Sequence, residues 1–190
     1  MKTKNILLLA FFLVVIAQLA VPLRMILHNN DVLKTGKIYK FKTEPIDPHD
    51  PFRGKFIRLY FKENHLVLKR KIDINKDLYA IIANDKKGFA RIVKISNTEP
   101  KTEEFLKVKA LSINEYGNEH QIWIEFPFER FYMNEYKASE AEKAYNESSR
   151  NQSSNTYAVI AIKNGEGIIK DVMIDDISIN EYLQKNNKPL

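Results

Sequence analysis

The sequence predicts a mainly β domain with one short helix, a compact barrel or sandwich, placed after an N-terminal transmembrane helix. Three observations lead there. One apolar run near the N-terminus stands apart from an otherwise hydrophilic chain. Eight or nine short segments downstream alternate apolar and polar residues and are rich in β-formers. A single stretch carries the Ala, Glu and Lys content of a helix. The division that follows is 1–27 for the signal anchor and 28–190 for the outer domain.

Ile6 to Leu23 read ILLLAFFLVVIAQLAVPL, broken only by Gln18 and Pro22. At about 1.5 Å per residue the run reaches about 27 Å, close to the roughly 30 Å of a hydrocarbon core. Lys2 and Lys4 precede it, which by the positive-inside rule leaves the N-terminus in the cytoplasm and the domain outside. Arg24 at the far end opposes this weakly and can snorkel to the headgroups. A cleaved signal peptide is the competing reading. It needs a shorter apolar core and a small-x-small site. The run continues past both candidate sites, so a retained anchor is favoured. The expected location is the inner cell membrane, single-pass, with a periplasmic or otherwise extracytoplasmic domain.

Residues 28–34 read as a short polar connector or as a helical turn continuing from the membrane. Gly36 opens a strand over 37–43. Pro45, Pro48 and Pro51 make the next stretch a loop. Gly54 opens the strongest strand, 55–61, with Phe56, Arg58 and Tyr60 on one face and Ile57, Leu59 and Phe61 on the other. Further strands are expected at 65–69, 77–83, 89–95, 105–112 and 121–128. A turn at 84–88 joins two of them. A helix is expected over 134–148, then a polar loop over 147–155. A hairpin of 157–162 and 168–174 turns at Asn164-Gly165-Glu166-Gly167. A last strand or loop at 177–179 precedes a polar tail.

Composition excludes several classes. The chain has 190 residues, no cysteine and a net charge of +6. Without cysteine there is no disulfide framework, lipidated cysteine, thiolate metal site or cysteine nucleophile. Three of the positive charges flank the apolar run and the rest are diluted among acids, so no nucleic-acid surface is expected. The runs 69–71 and 86–87 read as solvated turns. No phosphate-binding glycine loop and no His-Glu-x-x-His helix occurs. No serine precedes the 55–61 strand to build a Ser-Lys dyad. No cofactor is expected.

The chemistry-bearing residues cluster in two places. Asp47, His49 and Asp50, with Arg53, fall within one proline-rich stretch. They can converge as a general-base or hard-metal cluster, or serve as turn caps. Glu129 and Arg130, with Glu135, can bind an anionic group or form an ion pair at a strand-to-helix junction. The tyrosines and Trp123 read mainly as strand-face core with some at the rim.

The stretch Gly54-Lys55-Phe56-Ile57-Arg58-Leu59-Tyr60-Phe61 resembles the signature of the GDYXXLXY family. Gly54 and Leu59 agree with it. Phe56 and Phe61 stand where the family has tyrosine, and Lys55 stands where it has aspartate. The pairs Asp47-Pro48, Asp50-Pro51 and Arg53-Gly54 fit the same pattern, as do residues 128–132 with Glu135 and the terminal hairpin. The resemblance implies a membrane-anchored protein that accompanies a multi-spanning membrane protein. It supplies no catalytic residues. The leading expectation is an interaction or accessory module whose partners are membrane lipid, through the helix, and an envelope or membrane protein. An envelope hydrolase and a small-ligand or lipid-binding β domain are the alternatives.

Overall fold

A computed structural model describes residues 2–45, 56–69, 72–116, 119–151 and 154–186. The first element is one helix, α1, Lys2–Thr35, 34 residues long. It is about 51 Å from end to end. Pro22 removes the N–H that would meet the Gln18 carbonyl, yet the helix continues through it. Residues 4–14 and 16–31 are exposed and Val15 is half-buried. This helix is long and apolar enough to cross a membrane, which suits a signal anchor or a signal sequence. The polar 28–34 stretch is its final two turns, so the boundary read at 27/28 falls inside a continuous helix.

Those last turns are fixed to the domain. Val32 is 1% exposed. The Lys163 ammonium donates to Asp31 at 2.6 Å and to the Thr35 hydroxyl at 2.8 Å. His28 Nε2 lies 2.5 Å from the Glu166 carboxylate. Gly36 closes the helix by donating to the Val32 carbonyl at 2.8 Å. A side chain at Gly36 would sit 2.5 Å from that oxygen, so only glycine lets the chain turn from helix to strand this tightly.

Twelve strands follow among the described residues. They are β1 (Lys37–Glu44), β2 (Phe56–Arg58), β3 (Tyr60–Phe61), β4 (His65–Leu68), β5 (Leu78–Asn84), β6 (Ala90–Ser96), β7 (Phe105–Tyr116), β8 (Glu119–Glu125), β9 (Arg130–Tyr132), β10 (Thr156–Lys163), β11 (Glu166–Ile174) and β12 (Ile177–Ser178). Helix α2 is Glu135–Arg150 and helix α3 is Ile179–Asn186. One sheet has the order β12-β11-β10-β1-β3, a second β4-β8-β7-β5-β6, and β2 pairs with β9 alone. The sequence expectation of a mainly β domain behind an apolar helix is met, in the form of a half-barrel with short helices. Helix α3 is an addition, since the tail reads as polar. Its Leu183 and Ile179 are buried.

Alternation explains most strands. In β1, Tyr39 and Phe41 face the core while Lys40 and Lys42 stand outside over the rings of Tyr157 and Phe89. The expected single strand 55–61 is interrupted at Leu59. Its first part pairs with β9 and its second with β1. The expected strand 121–128 stops at Glu125, because Phe126 and Phe128 turn into the core instead. Phe41, Phe61, Phe126 and Phe128 all contact one another, with ring centroids 5.2–5.8 Å apart. Edge-to-face and stacked pairs of this kind add about 0.5–1.5 kcal/mol each beyond area burial.

Two polar ties close the fold. Glu63, in the 3₁₀ turn Lys62–Asn64, is 6% exposed. Its carboxylate accepts from Arg91 at 2.7 Å and from the Ile92 backbone at 3.0 Å, which staples that turn to β6. On α2, Asn134 caps the N-terminus by accepting from the Tyr136 backbone at 3.0 Å. Ala138, Ala141 and Tyr145 form its buried face, and the Tyr145 hydroxyl donates to the Glu44 carbonyl at 3.2 Å.

Candidate functional site

Of the nominated polar residues, Asp47, His49, Asp50 and Arg53, together with Gly54 of the motif, lie outside the described residues. The chain on either side of them is placed. Glu44 pairs with Tyr60, and Phe56 pairs with Tyr132. Both flanks of the 46–55 stretch therefore join strands beside Glu129 and Arg130.

The described motif residues divide by face as alternation requires. Ile57, Leu59 and Phe61 are at most 1% exposed, whereas Tyr60 is 42% exposed. Leu59, between β2 and β3, donates its N–H to the Glu129 carbonyl at 2.8 Å. The outer face gathers Phe56, Arg58, Tyr60, Arg130 and Tyr132. The Arg130 guanidinium lies 5.0 Å from the Phe56 ring centre and that of Arg58 lies 5.3 Å from Tyr60. Phe56 and Tyr132 are 5.6 Å apart.

Arg58 and Arg130 face each other across β2 and β9. Like charges so placed repel. Glu129 relieves this by accepting from Arg58 Nη2 at 3.3 Å. Arg58 Nε is buried and, among the described residues, has no hydrogen-bond partner. Glu129 therefore takes part in an ion pair at this junction, and its partner is Arg58, which the sequence reading did not nominate. The available signal was the position of Arg58 on the polar face of the motif strand.

Beside this face lies an open cleft of about 670 Å³. It is lined by the 125–132 segment, by residues 166–169 of β11 and by Asn29 of α1. Glu129 and Arg130 both line it. Among the described residues no three His, Asp or Glu side chains are grouped to hold a metal ion. The described histidines are dispersed: the His65 ring lies tilted against Trp123 at 4.5 Å, and His120 lies 3.8 Å from Glu115. Of the tyrosines, Tyr39, Tyr79 and Tyr157 are core, whereas Tyr132 is 66% and Tyr136 88% exposed.

Three carboxyl groups elsewhere titrate below the ordinary range. The Lys163 hydrogen bond lowers Asp31. Backbone N–H donors lower Asp73 and Asp85, from Asn75 and from Phe89 respectively. These mark a helix clamp and two turns rather than a reactive centre. Tyr157, buried and donating to Asp176 at 2.5 Å, is pushed up to about 12, burial being the larger cause.

A long apolar helix bolted to a half-barrel, with an open cleft beside their junction, defines the class. The family model for the GDYXXLXY protein matches residues 18–172, and the chain belongs to that family. No curated protein and no solved structure matches it.

Proposed function

We propose that this chain is a single-pass membrane protein whose β domain stands outside the cytoplasm and docks a multi-spanning membrane partner through the cleft. The observation that carries this reading is the continuity of α1. Its exposed apolar run leads without a break into turns clamped to β10 and β11. Asn29, at the cleft, is two residues beyond Leu27, where the exposed apolar side chains of α1 end, so the cleft stands next to the end of the apolar stretch. Lys2 and Lys4 before the run favour a cytoplasmic N-terminus.

Two measurements test it. The chain has no cysteine, so a Leu111→Cys variant carries one thiol, at a side chain that is 62% exposed. In intact cells that thiol should react with a membrane-impermeant maleimide; reaction only after lysis would refute the orientation. Purification of the full chain in mild detergent should recover a multi-spanning protein in stoichiometric amount. Its repeated absence would overturn the docking reading.

A further inference from the structure

We infer that Arg130, with Arg58 beside it, binds the phosphate of an anionic lipid headgroup on the outer surface of the membrane that α1 crosses; this goes beyond the docking reading above and rests on its retained anchor.

Strand pairing places the two guanidiniums together. The Leu59 N–H is bonded to the Glu129 carbonyl, so Arg58 and Arg130, one step along, are a non-bonded pair, the kind in which opposing side chains start closest. Like charges at such a pair repel. Glu129 offsets one of them, through Arg58. The Arg130 guanidinium lies over the Phe56 ring, and among the described residues no carboxylate lies within ion-pair distance of it. The other acids that line the cleft have cations of their own. Glu166 is engaged by His28, and Glu125 lies beside Lys107 and Lys109 in a neighbouring hollow. A surplus positive charge is left on Arg130, which is exposed. Its planar fork of N–H donors matches two oxygens of a phosphodiester.

The position of Arg130 selects the source of that phosphate. From Ile6 to Leu27 the helix rises about 32 Å. That spans a hydrocarbon core of about 30 Å, beyond which the headgroups of each leaflet add roughly 5–7 Å. Arg24, within this length, snorkels outward. Asn29, just past Leu27, falls in the headgroup layer, and it lines the same cleft as Arg130 and Tyr132. Those two side chains therefore stand at the edge of that layer. Tyr132 is exposed, with the Phe56 ring 5.6 Å away, and aromatic rings of this kind settle where headgroups meet water. A phosphate free in solution gains nothing from this height. A lipid phosphate is already held there at high effective concentration.

The test places the full chain in nanodiscs of phosphatidylcholine, with or without phosphatidylglycerol, each holding a trace of lipid with a nitroxide headgroup. The chain has no cysteine, so Tyr136→Cys, at a side chain 88% exposed and shortly after Tyr132, carries a single bimane reporter. Quenching by the nitroxide should be at least twofold stronger with phosphatidylglycerol. Arg130→Gln, which leaves the Arg58–Glu129 pair in place, should return it to the phosphatidylcholine level. Lys86→Gln combined with Lys87→Gln removes more charge, from an exposed turn, and should change nothing. Inorganic phosphate should not compete. Quenching that ignores phosphatidylglycerol or Arg130, an equal loss in the lysine variant, or displacement by inorganic phosphate overturns the inference. If any of these occurs while the chain stays in the nanodisc, the anchored docking reading stands. A chain that separates from the nanodisc overturns both.

Discussion

The Leu59 N–H meets the Glu129 carbonyl at 2.8 Å, and this one bond lies where the signature strand passes from β9 to β1. The Leu59 side chain is buried while the Glu129 side chain turns toward Arg58. Leu59→Ala should destabilise the domain by about 2–5 kcal/mol, as buried leucine truncations do. Tyr60→Ala, one residue on and half exposed, should cost less, about 0.5–1 kcal/mol, through its contact with the Arg58 guanidinium. Denaturant unfolding followed by near-UV circular dichroism checks the pair. Equal effects would mean that the motif leucine is not a packing residue.

Gly167 lies directly under the Phe128 ring. A Cβ there would meet ring atoms at 2.4 and 2.5 Å and Leu106 at 3.0 Å. Gly167→Ala should therefore cost about 1–3 kcal/mol through overpacking. Gly88→Ala meets nothing within 4 Å and suffers only from its φ of +80°, a cost of about 1–2 kcal/mol. Adding Phe128→Leu should recover part of the loss in the first variant and none in the second.

Glu63 holds two donors at once. Glu63→Ala leaves the Ile92 N–H without its acceptor and frees Arg91, which is half exposed and can turn to water. A loss of about 1–3 kcal/mol is expected. Hydrogen exchange at the Ile92 amide should accelerate more than at Ile82, on the neighbouring strand β5.

The phenol of Tyr157 is held neutral up to about pH 12, whereas an unfolded tyrosine ionises near 10. A raised pKa contributes stability that is complete below about 10 and lost as pH rises toward 12. Alkaline unfolding should fall in that window. In Tyr157→Phe, the stability lost between those two pH values should be smaller.

Asp31, Asp73 and Asp85 show the opposite sign. Their lowered pKa values contribute stability that is present above about pH 4 and lost as pH falls through the folded values. Asp31→Asn should shrink that acid dependence and loosen the α1 clamp. Protease cleavage near residues 28–35 should then increase at neutral pH while the β domain stays protected.

Local patterns in the sequence were informative wherever one strand face is core. The alternation in 37–43, the turn glycines Gly88 and Gly165, and the Ala/Glu/Lys-rich helix all translate directly into structure. Three features needed partners distant in sequence. The strand break at Leu59 follows from two different neighbours, Phe131 and Thr43, which flank the bend and which no local period encodes. The helical form of 28–34 depends on Lys163 and Glu166, more than 120 residues away. Glu63, a charged residue in a polar stretch, gives no sign that it will be buried against β6. At the candidate site, Glu129 and Arg130 were recognisable as a charged junction, whereas the cleft beside them arises only when β11 comes alongside.

The lack of slack between α1 and β1 has a mechanical consequence. A flexible linker of ten residues would let a tethered domain roam by about 16–19 Å, sampling a dome above its anchor. A helix that ends on Gly36 with no intervening coil allows spinning about the helix axis and rocking with its tilt. The cleft then sweeps a narrow annulus at nearly constant elevation. Under the membrane docking proposed above, its encounters become a two-dimensional search, in which a target at that elevation is met at high effective concentration and one a few nanometres higher is out of reach.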